Sequence, residues 1–186
     1  MNRSSVIGIL VALSLLAAAC GDDEESAPST LKIGYAADFS DLGGFADMPA
    51  SEAGKHFVAL VNCAGGIDPN NGIDIDVVLA TDLDNCEDVS GTTLELTIEN
   101  IAGDPGVTQR ASQSLIDAGV SALLGPAFPD FGEPLLQVAA GEIPVLFVAS
   151  TEPLLADASI LAYLVAFDDT AQASAAAEFA LAQGWS

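Results

Sequence analysis

Basic residues are scarce in this chain: four lysines and arginines face 27 aspartates and glutamates, which gives a formal net charge of −23 at pH 7. A protein this negative repels nucleic-acid phosphates and anionic lipid headgroups. The acids are spread along the chain rather than gathered in one block, which is typical of a solvated surface. The composition therefore excludes nucleic-acid binding as a function.

Histidine is scarcer still. His56 is the only one and has no cysteine or second histidine at metal-ligand spacing, so we expect it on a helix face. No serine stands in a GxSxG elbow and no phosphate-binding loop is present. The acidic run 68–76 is interpreted as a turn rather than a calcium loop, because its glycine comes one place early. We expect no enzyme activity, no metal and no cofactor.

A long apolar run is also missing, since the one at the N terminus is short. Arg3 precedes an apolar stretch at 6–13, and three alanines at 17–19 lead to Cys20. This pattern is too short for a membrane span and indicates a secretion signal over 1–19, with lipidation of Cys20. The alternative is an ordinary signal cut near Ala19 with Cys20 unmodified. Either reading places the protein outside the cytoplasm, and 20–30 is expected to be a flexible tether.

The chain has three cysteines. If Cys20 carries lipid, Cys63 and Cys86 remain as a pair in an oxidising compartment. A disulfide between them is then the default expectation.

From residue 31 onward, short apolar runs alternate with helical patterns, and glycines and prolines separate them. Helices are predicted to begin at Pro49, Pro105 and Pro134. Strands alternating with helices predict an α/β lobe, three-layered and Rossmann-like, with a mostly parallel sheet that binds ligands beyond its carboxyl ends. The predicted strands are 31–37, 73–80, 93–98, 120–124 and 144–149.

Four sequence segments follow one another along the chain: LKIGYAADFSDLGGFAD, VNCAGGI, DPGVTQRASQSLIDAGVSALLGP and GEIPVLFVASTEP. Together they resemble the branched-chain amino acid (leucine-binding) family of periplasmic binding proteins, the type I solute receptors of ABC importers. The resemblance implies two lobes that close over a ligand. Residues 31–163 would form the N-terminal lobe, and 164–186 the crossover and first helix of a second lobe that is largely missing. The chain is accordingly interpreted as an N-terminal fragment; the alternative is a complete one-lobe protein.

The resemblance also implies ligand-binding residues. In the loop after GEIPVLFV, the backbone at Ala149 and the side chains of Ser150 and Thr151 would hold the charged head of an amino acid. The alternative is that Ser150 and Thr151 only cap the turn that follows.

A second loop departs from the family pattern, because many members continue the GP dipeptide with serines and this chain has Ala127 and Phe128. The backbone amides there could still bind a ligand. Phe128 could stack on the ligand or pack beneath the loop. Phe45 matches a position where the family often places an aromatic side chain against the ligand, whereas nearby Asp47 is expected in solvent.

The segment 73–91 looks inserted relative to the short family connection. We expect an extra hairpin here, joined to the lobe by Cys63 and Cys86.

These expectations describe a lipid-anchored extracytoplasmic receptor that captures a small ligand, such as an amino acid, and delivers it to an ABC permease. Its lobes would hinge near 164–170. The alternative is a ligand-sensing module coupled to a signalling partner.

Overall fold

The computed structural model describes residues 29–86 and 88–185. The predicted signal, most of the predicted tether and Cys20 lie outside the described residues. The five strands are β1 (Thr30–Ala37), β2 (Thr93–Asn100), β3 (Ala122–Gly125), β4 (Val145–Phe147) and β5 (Ala162–Leu164). The helices are α1 (Gly44–Cys63), α2 (Ile75–Ala80), α3 (Pro105–Asp117), α4 (Pro129–Ala139), α5 (Pro153–Asp157) and α6 (Asp169–Ala182).

All five strands join one parallel sheet in the order β2-β1-β3-β4-β5. β1 lies between β2 and β3, with Ile33 opposite both Leu96 and Ala122. Parallel neighbours need crossover connections, and helices supply them here. The predicted α/β class is confirmed, and the carboxyl ends of the strands share one edge of the sheet.

Helices cover both faces of the sheet and give three layers. On one face, Phe57 and Val58 of α1 lie beside Ile33 and Leu96, around an open apolar groove of about 250 Å³. On the other face, α3 packs closely on β1 at Gly34, where an added Cβ would come 3.1 Å from the Leu115 Cβ. The buried core includes Leu115, Leu123, Phe131, Leu135, Val145 and Phe147.

One of the three predicted helix starts is confirmed. Asp104 caps α3 by accepting the Val107 N–H at 2.7 Å, and Pro105 follows in the first turn. Pro49 and Pro134 do not begin helices; each lies inside one, because α1 begins at Gly44 and α4 at Pro129. A proline there removes a single intrahelical N–H. Burial of residues upstream of each proline, such as Asp47 and Phe131, offsets that loss.

The strand predicted at 73–80 is wrong, because this segment forms the short helix α2. The Asp74 carboxylate accepts the N–H groups of Asp76 and Val77 at 3.1 and 3.3 Å, which favours a helix start. Only Val78 of this helix is buried. The run therefore has no continuous apolar face to add to the sheet.

Cys63 and Cys86 are joined by a disulfide with a Cα separation of 4.5 Å. The bond joins the end of α1 to the loop after α2. The expected hairpin is not formed, since α2 and irregular loops fill this segment in the part that the structure describes.

The C-terminal elements extend the sheet by one short strand. β5 and α5 were not predicted from the sequence, because each is too short to show a clear hydrophobic periodicity. α6 begins at the cap Asp168, whose carboxylate accepts the Ala171 N–H at 2.8 Å, and buries none of its residues. Of the helices in the described ranges, none combines the length and apolar character that a membrane crossing needs. The predicted domain boundary at 163/164 stays a prediction.

Candidate ligand-binding site

Three loops leave the sheet at its carboxyl edge. They are 38–43 between β1 and α1, 126–128 between β3 and α4, and 148–152 between β4 and α5. Because β1, β3 and β4 are parallel and adjacent, these loops lie side by side. All six candidate ligand-binding residues from the sequence lie in these loops or in the first turn of α1.

The Asp47 carboxylate connects two of these loops. One oxygen, Oδ1, accepts the Tyr35 hydroxyl at 2.8 Å and the Ala127 N–H at 3.2 Å. The other, Oδ2, accepts the Asp38 N–H at 2.7 Å. Asp47 is 1% exposed. A side chain of α1 thus binds the ends of both β1 and β3.

Burial has the largest effect on the pKa of Asp47. It raises the pKa of Asp47 above the ordinary value, and the negative charge of Asp38 adds to the rise. The hydrogen bonds from Asp38, Tyr35 and Ala127 act in the opposite direction. The pKa of Tyr35 is also raised, first by burial and then by the adjacent carboxylate. The raised pKa of Tyr35 keeps its phenol protonated, so the Tyr35 hydroxyl donates a hydrogen bond to the Asp47 carboxylate.

Asp38 lies beside Asp47 and is also buried. Its Oδ1 accepts the Ser40 N–H at 2.9 Å, whereas Oδ2 has no partner among the described residues. Gly43 packs directly on this side chain, because an added Cβ would lie 2.6 Å from the Asp38 Cβ. Gly103, at φ 64°, approaches Ser40 from the loop after β2. Both glycines permit a close packing that a side chain would prevent.

Two candidate residues meet at the surface of this edge. The rings of Phe45 and Phe128 form an edge-to-face pair with centroids 6.1 Å apart and an interplanar angle of 75°. Phe45 is 74% exposed, while Phe128 also contacts the core. Packing beneath the loop and presenting a ring to the surface are thus compatible at Phe128.

The β4–α5 loop offers polar groups. Ala149 is exposed, Thr151 is half-buried, and the Thr151 carbonyl accepts the Asp169 N–H at 2.9 Å. Ser150 is buried, and its Oγ has no hydrogen-bond partner among the described residues. The cap of α5 is Glu152, whose carboxylate accepts the Leu154 N–H at 3.1 Å. The alternative role of Ser150 and Thr151 as caps is therefore wrong.

Comparison with known proteins gives the family. Residues 30–185 match the sequence model of a family described as periplasmic binding protein. The chain belongs to this family. No curated protein matched the chain.

Solved structures of periplasmic binding proteins share the fold. The branched-chain amino acid substrate-binding protein LivJ of Streptococcus pneumoniae, in complex with isoleucine, is 18% identical with a TM-score of 0.60, over 76% of this chain and 35% of that one. An ABC transporter substrate-binding protein of Desulfitobacterium hafniense, in complex with Leu, is 22% identical with a TM-score of 0.63, over 84% and 40%. The leucine-binding protein LivK of Thermotoga maritima is 20% identical with a TM-score of 0.52, over 81% and 37%. The chain therefore spans between about a third and two fifths of these relatives, which corresponds to one lobe of a type I binding protein.

The expectation that Asp47 lies in solvent is wrong. It arose because the helix was predicted to begin at Pro49, which left Asp47 in a loop. The helix begins at Gly44, so Asp47 lies one turn before buried Ser51 and on the same face as Val61. That helical spacing was the available signal for the burial of Asp47. The hydrogen bonds of Tyr35 and Asp38 to Asp47 could not be predicted, since the sequence at the end of a strand does not indicate its hydrogen-bond partners.

Proposed function

We propose that this chain forms the ligand-binding face of an extracytoplasmic solute receptor, which captures a small molecule with a polar head and an apolar part. An amino acid is the first candidate. The receptor would deliver its ligand to an ABC permease. The observation that carries the proposal is the meeting of three loops at the carboxyl edge of the sheet, in a chain that belongs to the periplasmic binding protein family.

The loops differ in chemistry, and this difference supports an amphipathic ligand. The β4–α5 loop supplies the exposed backbone of Ala149 and the hydroxyl of Thr151, which can bind a carboxylate without a buried cation. Phe45 and Phe128 supply an aromatic surface from the other two loops. A second lobe would complete the contacts, and closure would be favoured because only the closed state makes both sets.

Nuclear magnetic resonance with L-leucine as the probe tests ligand capture on this lobe. We expect dose-dependent shifts of the Ala149 and Thr151 amides and of the Phe45 ring. Lys55, on the exposed surface of α1, serves as an internal control that should not shift. Shifts spread evenly over the chain, or none for leucine and a panel of other amino acids and aromatic carboxylates, would contradict the proposal.

The Thr151 hydroxyl has its own test. Thr151→Ala should weaken ligand binding by about 1 to 3 kcal/mol, the usual loss for a hydrogen bond to a charged group. Thr30→Ala is the matched control, since Thr30 is exposed at the start of β1, at the opposite end of the strand from the candidate loops. Equal affinities for the two variants by calorimetry would remove Thr151 from the site.

The proposed attachment to a membrane depends on Cys20. Lipid attached there would hold the receptor at the outer face of a membrane, beyond the tether at 20–30. In cells fed a labelled fatty acid, the full chain should carry label and partition with membranes, while Cys20→Ser should do neither. Label retained by the variant would refute lipidation at this cysteine.

A further inference from the structure

We propose that Asp47 is a positioning residue: its carboxylate joins the β1–α1 and β3–α4 loops and thereby holds Phe45 and Phe128 together as one aromatic surface. The function of that surface, contact with the apolar part of a ligand, rests on the proposed function. The positioning of the two rings by Asp47 does not depend on the proposed function.

The carboxylate suits this task because all three of its partners are donors. The Tyr35 hydroxyl and the N–H groups of Asp38 and Ala127 all point at oxygens that only accept. Leucine has a similar branched shape but no oxygen. Asp47→Leu would therefore remove the acceptor of all three donors with little change in volume.

The β3–α4 loop depends on this contact because its backbone has few other groups that can donate a hydrogen bond. Pro126 and Pro129 have no backbone N–H, and the Ala127 N–H is bound to Asp47. Phe128 follows Ala127 directly, so the position of its ring depends on the Ala127 backbone. Phe45 lies two residues before Asp47 on α1, so the same carboxylate constrains both ends of the aromatic pair.

This arrangement has a consequence for the ligand. The earlier expectation allowed the amides of the β3–α4 loop to bind it, but the Ala127 N–H is already used within the protein. That N–H is therefore not available to a ligand, whereas the Phe128 ring is.

The experiment compares the full chain with Asp47→Leu and with Tyr35→Phe. Two quantities are measured by nuclear magnetic resonance on phenylalanine-labelled protein: the nuclear Overhauser contact between the Phe45 and Phe128 rings, and the exchange rate of the Ala127 amide. The Leu123 amide is the internal reference, because it donates to the Pro144 carbonyl at 2.9 Å in the core. Tyr35→Phe is the matched control, since it removes one bond to Asp47 but leaves the bond to Ala127.

In Asp47→Leu we expect the ring contact to disappear and exchange at Ala127 to rise at least tenfold relative to Leu123. Tyr35→Phe should keep both properties. Equal changes in the two variants would mean general destabilisation and would overturn the proposal, as would an unchanged ring contact in Asp47→Leu.

If Asp47→Leu does not fold, the unmodified chain decides. An Ala127 amide that exchanges at the rate of an unprotected loop would overturn the proposal, and a protected one would support it. Because no ligand is used, failure of leucine binding would bear on the proposed function alone.

Discussion

The disulfide between Cys63 and Cys86 should contribute strongly to stability, mainly through the unfolded chain. The two cysteines are 23 residues apart. In the chain-entropy treatment, closing a loop of this length lowers the free energy of folding by about 3 kcal/mol. That is a large share of the 5 to 15 kcal/mol typical of a whole domain.

Cys86→Ser is the appropriate perturbation. Cys86 lies in an exposed loop, whereas Cys63 is 5% exposed and its replacement would also disturb packing. The variant thus breaks the bond and leaves a buried thiol at Cys63. Few native contacts hold the bridged segment otherwise, since α2 buries only Val78.

The assay is urea unfolding followed by far-ultraviolet circular dichroism. Fluorescence is less suitable, because the only tryptophan, Trp185, packs on Phe179 at the C-terminal end and does not report on the core. We expect Cys86→Ser to lose about 3 kcal/mol. A reducing agent should bring the natural chain to the same value and leave the variant unchanged. A loss below about 1 kcal/mol, or two free thiols in the exported protein by intact mass, would refute this reasoning.

Three further predictions concern packing and ionisation. Phe147→Ala should cost about 3 to 5 kcal/mol in urea unfolding, because the ring is fully buried and its loss leaves a cavity; a cost below 1 kcal/mol would contradict the packing. Gly43→Ala should cost about 1 to 3 kcal/mol of stability, because the added Cβ would overlap the buried side chain of Asp38. Gly44→Ala should cost less, because its Cβ would meet nothing closer than 3.3 Å. The reverse order would refute the close packing of Gly43 on Asp38. Carboxyl titration by carbon resonance should give Asp47 a higher midpoint than Asp68, because burial raises the pKa of Asp47 and backbone N–H donors lower that of Asp68. As pH falls, the stability that ionised Asp68 contributes is lost, whereas the free-energy cost of burying ionised Asp47 is relieved. A midpoint for Asp47 at or below that of Asp68 would contradict these opposite directions.

Much of the fold could be predicted from the sequence because the strands leave short runs rich in apolar residues. The runs at 31–37 and 93–98 became β1 and β2, and the Asp104-Pro105 pair became a capped helix start. These signals are local, since each depends on residues within one element. The resemblance to a binding-protein family then supplied the candidate ligand-binding loops, which local signals do not reveal.

The failures have a common physical cause, which is competition between local and tertiary interactions. The run at 73–80 has the β-branched composition of a strand, yet the cap at Asp74 favours a helix, and Val78 is its only buried residue. Proline was taken as a helix start at Pro49, whereas burial of the preceding turn extends α1 back to Gly44. Neither outcome can be read from propensity alone, because tertiary packing overrides it.

The candidate site shows the same competition in its hydrogen bonds. Sequence patterns placed Ala127 and Phe128 in a loop with backbone amides open to a ligand, but every buried donor needs an acceptor, and here the protein supplies its own. Because Asp47 accepts the Ala127 N–H, the proposed site assigns the polar head of the ligand to the β4–α5 loop, where Thr151 lies. In the same proposal the aromatic pair would contact the other end of the ligand. A ligand on this lobe would therefore be oriented by chemistry before any second lobe closes on it.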